Sequence, residues 1–227
     1  MRIKAISFDL DGTLVDFSAG MRKALSRVLD VLKSDISGVN LTVDDLIRIR
    51  DQVAAHMITA SLEDIREEAF RATLEHLECP NPKLARYLTD IYWDARYRET
   101  PLFPDVTETL KALSPSYQLG IISNGNSYPN KSGLAGYFSA QVFAQGNYRK
   151  PDSRLFLDFC HQVSCHPGEI LHVGDAPIND VWGAQRVGMR TLWLNRAKIP
   201  NTSSVIPDWE TDALSDLNEI CRQLSSP

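Results

Sequence analysis

The residues with chemistry to offer lie in four short groups scattered along the chain: Asp9-Leu10-Asp11-Gly12-Thr13, Ser123-Asn124-Gly125, Lys150-Pro151, and Gly174-Asp175 followed by Asp180. Between them they would bring three or four carboxylates, one ammonium and one hydroxyl to a shared site. Each group follows a segment that reads as a strand, and open parallel sheets bind ligands beyond the carboxyl ends of their strands. If those strands are neighbours, all four groups meet in one pocket. The meeting raises an electrostatic problem. Two like charges about 4 Å apart repel by about 4 kcal/mol at an effective dielectric near 20, against about 1 kcal/mol in bulk water. Asp9, Asp11 and Asp175 cannot all stay ionised there, and Lys150 alone does not balance them. A hard divalent cation does, and Mg²⁺ favours one or two carboxylates completed by water and substrate phosphate. The residue set therefore predicts a Mg²⁺ cofactor.

The elements that must position these groups follow from apolar spacing. Ile3, Ala5, Ile6 and Phe8 form a dense run that suits a buried strand ending at Asp9. From about Ser18 to Tyr97 the rhythm is helical. Met21, Leu25, Val28, Leu29 and Leu32 make one set, Leu46, Ile49, Val53 and Met57 a second, Leu62, Ile65, Ala69, Leu74 and Leu77 a third, and Leu84, Leu88, Ile91 and Ala95 a fourth. Turn formers and capping residues at Asn40–Asp45 and Cys79–Pro82 punctuate the run. After Pro101 and Pro104 strands and helices alternate: a helix over Val106–Leu113, strands at Leu119–Ile122, Gln141–Ala144, Ile170–Val173 and Thr191–Leu194, helices from Lys150-Pro151 to Val163 and from Asn179 to Val187, and a closing helix over Leu214–Leu224. The expected fold class is α/β, a doubly wound parallel sheet with an inserted all-helical four-helix domain. Residues 1–16 and 101–227 would form the core and 17–100 the insertion.

Composition narrows the setting. In 227 residues, 43% hydrophobic and 23% charged usage is that of an ordinary globular chain, long enough to bury a core without disulfide or metal staples. A net charge of −5 with no basic run argues against non-specific binding to nucleic-acid duplexes. No stretch approaches the roughly 18–20 apolar residues of a membrane span. The four cysteines lack paired spacing, so a disulfide framework is not expected and a cytoplasmic setting is.

In order and type, Asp9-Leu10-Asp11-Gly12-Thr13-Leu14, Ser123-Asn124-Gly125, Lys150-Pro151 and Gly174-Asp175 to Asp180 resemble the four motifs of the haloacid dehalogenase superfamily, mostly phosphatases that work through an aspartyl-phosphate. The resemblance covers nearly the whole chain, and the helical insertion falls where one subclass carries its cap. It implies that Asp9 is the nucleophile and Asp11 the general acid and then base. Mg²⁺ would be held by Asp9, the backbone carbonyl of Asp11 and Asp175. Leu10, Ser123, Asn124 and Lys150 would bind the phosphoryl oxygens, with Lys150 also offsetting the charge of Asp9. Asp180 would orient its neighbours rather than bind the metal.

Plainer readings stand beside these. Asp11-Gly12 between Ile6–Leu10 and Thr13–Phe17 is a hairpin signal, compatible with a small flap over the site. Ser123-Asn124-Gly125 alone is a loop, Lys150-Pro151 alone a solvated charge before a helix, and Asn179 or Asp180 alone a helix cap. Cys160-His161 and Cys165-His166 carry zinc-ligand types, but adjacent helical residues diverge by about 100°. The cysteines read as small buried groups and the histidines as surface or loop residues. His172 reads as a satisfied sheet histidine. Tyr87, Tyr92, Trp93 and Tyr97 read as packing aromatics, and Arg48, Arg50 and Arg66 as a solvated face.

The expected function is Mg²⁺-dependent hydrolysis of a small phosphorylated metabolite, by a monomer or homodimer. A sugar phosphomutase keeps the same core and is not separated by it. A haloacid dehalogenase uses the first aspartate on carbon and needs neither Mg²⁺ nor Asp11. A non-catalytic binding protein on this core would be expected to lose Asp9, Asp11 or Lys150, all of which are present.

Overall fold

The computed structural model describes residues 2–125, 127–146 and 148–225. In chain order the elements are β1 (Ala5–Phe8), α1 (Phe17–Asp35), α2 (Val43–His56), α3 (Leu62–His76), α4 (Pro82–Glu99), α5 (Val106–Leu113), β2 (Gln118–Ser123), β3 (Ala140–Phe143), α6 (Ser153–Val163) and β4 (Ile170–Gly174). A π-helical turn (Pro177–Trp182) then runs into α7 (Gly183–Gln185), followed by β5 (Arg190–Leu194), β6 (Trp209–Thr211) and α8 (Leu217–Ser225). The chain divides into two compact units, Phe17–Pro101 and the residues flanking it on both sides.

The flanking unit is a six-stranded parallel sheet in the order β3-β2-β1-β4-β5-β6. Because side chains alternate along a strand, the central strands feed two cores. Ile6, Phe8, Leu119, Ile121, Leu171, Val173, Leu192 and Leu194 pack against α5 and α8 through Val106, Leu110, Leu113, Leu217 and Cys221. On the opposite face Ala5, Ile122, Ala140, Val142 and Ile170 meet Leu155, Phe156, Phe159 and Val163 of α6. Burial on both faces explains why these strands read as continuous apolar runs rather than alternating ones.

Three local outcomes differ from the sequence expectation. β6 is an extra strand, anchored by Asp208, which accepts from the backbone N–H of Thr191 at 2.9 Å and pairs with Arg190 at 2.8 Å. Three residues, none of them buried, carry no readable period. The helix expected from Asn179 to Val187 is a widened π turn followed by one short α turn, because Asp180 is drawn inward: its N–H donates to the Ala176 carbonyl and its carboxylate accepts the Ala176 N–H. The hairpin expected around Asp11-Gly12 is a tight turn with single bridges, Asp11 to Val15 and Val15 to Leu102, and Phe17 already begins α1.

The helical unit, residues 17–101, has its own core. Met21, Ala24, Leu25, Val28, Leu29 and Leu32 line one face of α1 and pack with Phe70 and Leu74 of α3 and Ala85, Leu88, Tyr92 and Ala95 of α4. The starts of α2, α3 and α4 are capped by side chains. Thr42 and Asp45 form a reciprocal capping box on α2, Ser61 accepts from Asp64 N–H on α3, and Asn81 precedes Pro82 on α4. Arg66 departs from the expected solvated face. It is buried, donates to the Tyr92 hydroxyl at 3.1 Å and lies 4.0 Å from the Tyr92 ring centroid. Among the described residues no helix is long and apolar enough to cross a membrane.

Candidate active site

The site lies at the carboxyl ends of the three central strands. Asp9 directly follows β1, and its N–H donates to the Val173 carbonyl of the neighbouring β4 at 2.8 Å. Ser123 ends β2, and Asp175 follows Gly174 at the end of β4. Lys150 enters from the segment after β3. Its ammonium sits 2.6 Å from Asp9 Oδ1 and 2.5 Å from Asp180 Oδ1, and it is only 3% exposed. Carboxylate oxygens of Asp9, Asp175 and Asp180 all lie within 4.8 Å of one another.

Neighbouring residues hold these groups. Asn124 clamps the Lys150 backbone from both sides: its Nδ2 donates to the Lys150 carbonyl at 2.9 Å and its Oδ1 accepts the Lys150 N–H at 2.6 Å. The side chain of Asn124 thus ties two strand-end loops together, which leaves its backbone N–H as the group able to meet a phosphoryl oxygen. Ser123 is fully buried and accepts the Gly125 N–H at 3.1 Å. Asp11 lies against this same loop, where Ser127 donates to its Oδ1. A Cβ at position 125 would overlap the Asp11 carboxylate, so glycine is what permits the approach. Leu10 contributes backbone alone: its side chain is buried and its carbonyl accepts from Leu14 and Val15 at 2.9 Å. Gly12, at φ +88°, lets the turn pass close to the Asp175 carboxylate. The Asp175 carbonyl accepts from the Trp193 indole at 2.8 Å.

The carboxylates are not equivalent. Both oxygens of Asp180 are used inside the protein, Oδ1 by Lys150 and His172 and Oδ2 by the Ala176 N–H. Burial opposes its ionisation, but Lys150 and the His172 hydrogen bond outweigh burial and hold it well below the usual carboxylate range. Asp9 goes the other way. Burial raises its pKa most, Lys150 opposes, and the Asp180 and Asp175 charges raise it further. Asp175 stands at the exposed rim, yet burial of its carboxyl, with the Asp180 charge next, pushes it up to about 6. Burial works against the Lys150 ammonium, but Asp180 and Asp9 outweigh it and raise its pKa.

Three carboxylates against one ammonium leave an excess of negative charge that a hard dication on oxygen ligands would relieve. The donor set fits such an ion. Because Asp180 is committed to Lys150, His172 and Ala176, Asp9 and Asp175 remain the carboxylates suited to hold it. Sequence reading missed Ser127, Trp193 and, although it took His172 as a satisfied sheet histidine, the Ser7–His172 pair that satisfies it. The last pair left a readable signal, since a polar residue within a fully apolar buried strand needs a partner.

Residues 3–188 match the haloacid dehalogenase-like hydrolases. Over 98% of this chain and 95% of the relative, it is 23% identical to an N-acylneuraminate-9-phosphatase of Mus musculus. It is 31% identical to a 5-amino-6-(5-phospho-D-ribitylamino)uracil phosphatase of Escherichia coli, over 99% of this chain and 94% of the relative. Among solved structures, a 2-haloacid dehalogenase from Pseudomonas syringae superposes with a TM-score of 0.79 at 29% identity, covering 98% of this chain and all of that one. A family match along most of the chain, a 31% identical relative covered almost end to end and a shared fold lead to one assignment: this protein belongs to the haloacid dehalogenase-like hydrolase family.

Proposed function

We propose that this protein is a Mg²⁺-dependent phosphatase of a small phosphorylated metabolite. The observation that carries the reading is the state of Asp9: one oxygen is fixed by the buried Lys150, while its carboxylate also belongs to the cluster with Asp175. A carboxylate anchored through Oδ1 keeps Oδ2 to attack phosphorus in line with the leaving oxygen. Asp11, oriented by Ser127, protonates the departing alcohol and then takes the proton of the water that hydrolyses the phosphorylated Asp9. The N–H groups of Leu10 and Asn124 and the hydroxyl of Ser123 bind phosphoryl oxygens, and Lys150 balances Asp9 and the phosphoryl group. Asp9, Asp175 and the Asp11 carbonyl would hold Mg²⁺, which when bound supplies charge neutralisation to the phosphoryl oxygens. The helical unit, residues 17–101, takes by resemblance the role of the family's cap, which would set leaving-group specificity. The fit is to a cytoplasmic monomer or homodimer acting on small molecules, in keeping with four free cysteines.

The similarity to a 2-haloacid dehalogenase makes carbon–halogen cleavage by Asp9 the second reading. Asp11 held by Ser127 and the surplus of carboxylates favour phosphate chemistry over it, because attack on carbon has no use for either. A screen of phosphorylated metabolites, p-nitrophenyl phosphate and 2-haloacids with Mg²⁺ or EDTA separates the two. Mg²⁺-dependent phosphate release supports the proposal. Halide release that survives chelation, with no phosphate release, overturns it.

A further inference from the structure

Five buried groups form one continuous line behind the site. Ser7 Oγ lies 2.8 Å from His172 Nδ1, His172 Nε2 lies 3.3 Å from Asp180 Oδ1, and the same oxygen takes Lys150, which holds Asp9. Ser7 and His172 are register partners on β1 and β4, on the face toward α6, where Phe156 meets the His172 ring edge-on at 5.3 Å between centroids. His172 is 1% exposed and Ser7 fully buried.

The protons on this line can be assigned. A carboxylate only accepts, so the proton between His172 and Asp180 sits on Nε2. Burial keeps the imidazole neutral, which leaves Nδ1 as an acceptor and makes the Ser7 hydroxyl its donor. Asp180 is thereby gripped by three donors: the Nε2–H, the Lys150 ammonium and the Ala176 N–H. Lys150 is a point charge on a flexible stem, so its acceptors decide where it sits. Gly174 permits the arrangement, since a Cβ there would overlap the Asp180 carboxylate.

We propose that Ser7 and His172 are positioning residues which, through Asp180, set the place of Lys150 and hence the aim of Asp9. The inference rests on the phosphatase reading of Asp9. Its consequence is a loss in turnover more than in substrate affinity, because the line ends on the nucleophile and its counter-charge while Leu10, Ser123 and Asn124 still bind the phosphoryl oxygens. Loss of such an outer partner is expected to cost about tenfold or more.

The experiment compares His172→Leu, His172→Gln and Ser7→Ala with wild type, using p-nitrophenyl phosphate and Mg²⁺. His172→Leu should lower kcat about tenfold or more with KM little changed. His172→Gln, whose amide N–H can replace Nε2–H, should return kcat to within about threefold of wild type, and Ser7→Ala should fall between them. Folded His172→Leu or Ser7→Ala proteins with wild-type kcat overturn the proposal, as does a His172→Gln protein no better than His172→Leu. If His172→Leu fails to fold, Ser7→Ala decides alone. A wild type that releases no phosphate refutes the phosphatase reading instead. The ¹⁵N spectrum of His172 then still tests the arrangement: a pyrrole-like Nε2 and pyridine-like Nδ1 are expected, and the opposite tautomer or a doubly protonated ring overturns it.

Discussion

Replacing Lys150 by methionine removes the single cation of the buried cluster while keeping most of the side-chain volume. In the wild type the ammonium lies 2.6 Å from Asp9 and 2.5 Å from Asp180, and all three side chains are at most 9% exposed. Solvent screening therefore does little to soften the loss. Breaking a buried ion pair by deleting one partner typically costs about 3–5 kcal/mol, because the other charge is left uncompensated. That is a large share of the roughly 5–15 kcal/mol that separates folded from unfolded states. At roughly 2–4 °C per kcal/mol for a chain of this size, the melting temperature should drop by about 6–20 °C near neutral pH. The drop should depend on pH with a definite sign. In the wild type, Asp9 already has a folded pKa above its unfolded value, so its contribution is fully present below the unfolded value and is lost as pH rises through the folded one. Asp180 has a depressed folded pKa, so its contribution is present above the unfolded value and is lost as pH falls through the folded one. Without Lys150 the main cause of the Asp180 depression is gone, and both carboxyls should favour the neutral form. The variant should then be least impaired near pH 5 and most impaired near pH 8, and Mg²⁺ should restore more stability to it than to the wild type. Thermal melts at the two pH values, with Mg²⁺ and with EDTA, provide the assay. Equal melting temperatures for variant and wild type at pH 8 in EDTA would refute the electrostatic account of the cluster.

Three further changes probe other parts of the structure. Gly174→Ala places a Cβ against the Asp180 carboxylate; kcat should fall at least as far as in His172→Leu, with overpacking costing about 1–3 kcal/mol in urea unfolding, and a neutral result would mean that Asp180 has room to move. Asp11→Asn should slow both formation and hydrolysis of the phosphorylated enzyme, and single-turnover rates equal to wild type would remove its acid–base role. Ser61→Ala deletes the cap of α3 and should cost about 1 kcal/mol of stability while Mg²⁺ affinity stays unchanged by calorimetry; an unchanged melting curve would show the cap to be idle.

What could be read from the chain before its structure followed from how much repetition each feature carries. The four helices of residues 17–101 and the strands that became β1 to β5 each have enough apolar residues in period to declare themselves. Trp209–Thr211 is too short for a period, and its place beside β5 depends on Asp208 reaching Thr191 and Arg190. The π turn depends on Asp180 being pulled inward, a tertiary demand that overrides helix spacing in the segment itself. At the site, residue types pointed to Asp9, Lys150, Asp175 and Asp180, and the structure brings their charged groups together. The supports were hidden because they join distant positions: Ser7 and His172 are 165 residues apart, Asp11 and Ser127 are 116 apart, and Asn124 grips Lys150 through atoms that no motif specifies. Arg66 was misread because a guanidinium satisfied by an aromatic face leaves no carboxylate in the sequence to announce it.

The central claim is that the Asp9 carboxylate, held by Lys150, takes the phosphoryl group. Rapid acid quench during turnover of a phosphate ester, followed by borohydride reduction and peptide mapping, locates the covalent label. The account predicts modification at Asp9 in the presence of Mg²⁺, none with EDTA and none in Asp9→Asn. Phosphate release with Asp9 unlabelled, or with the label on another side chain, would contradict it.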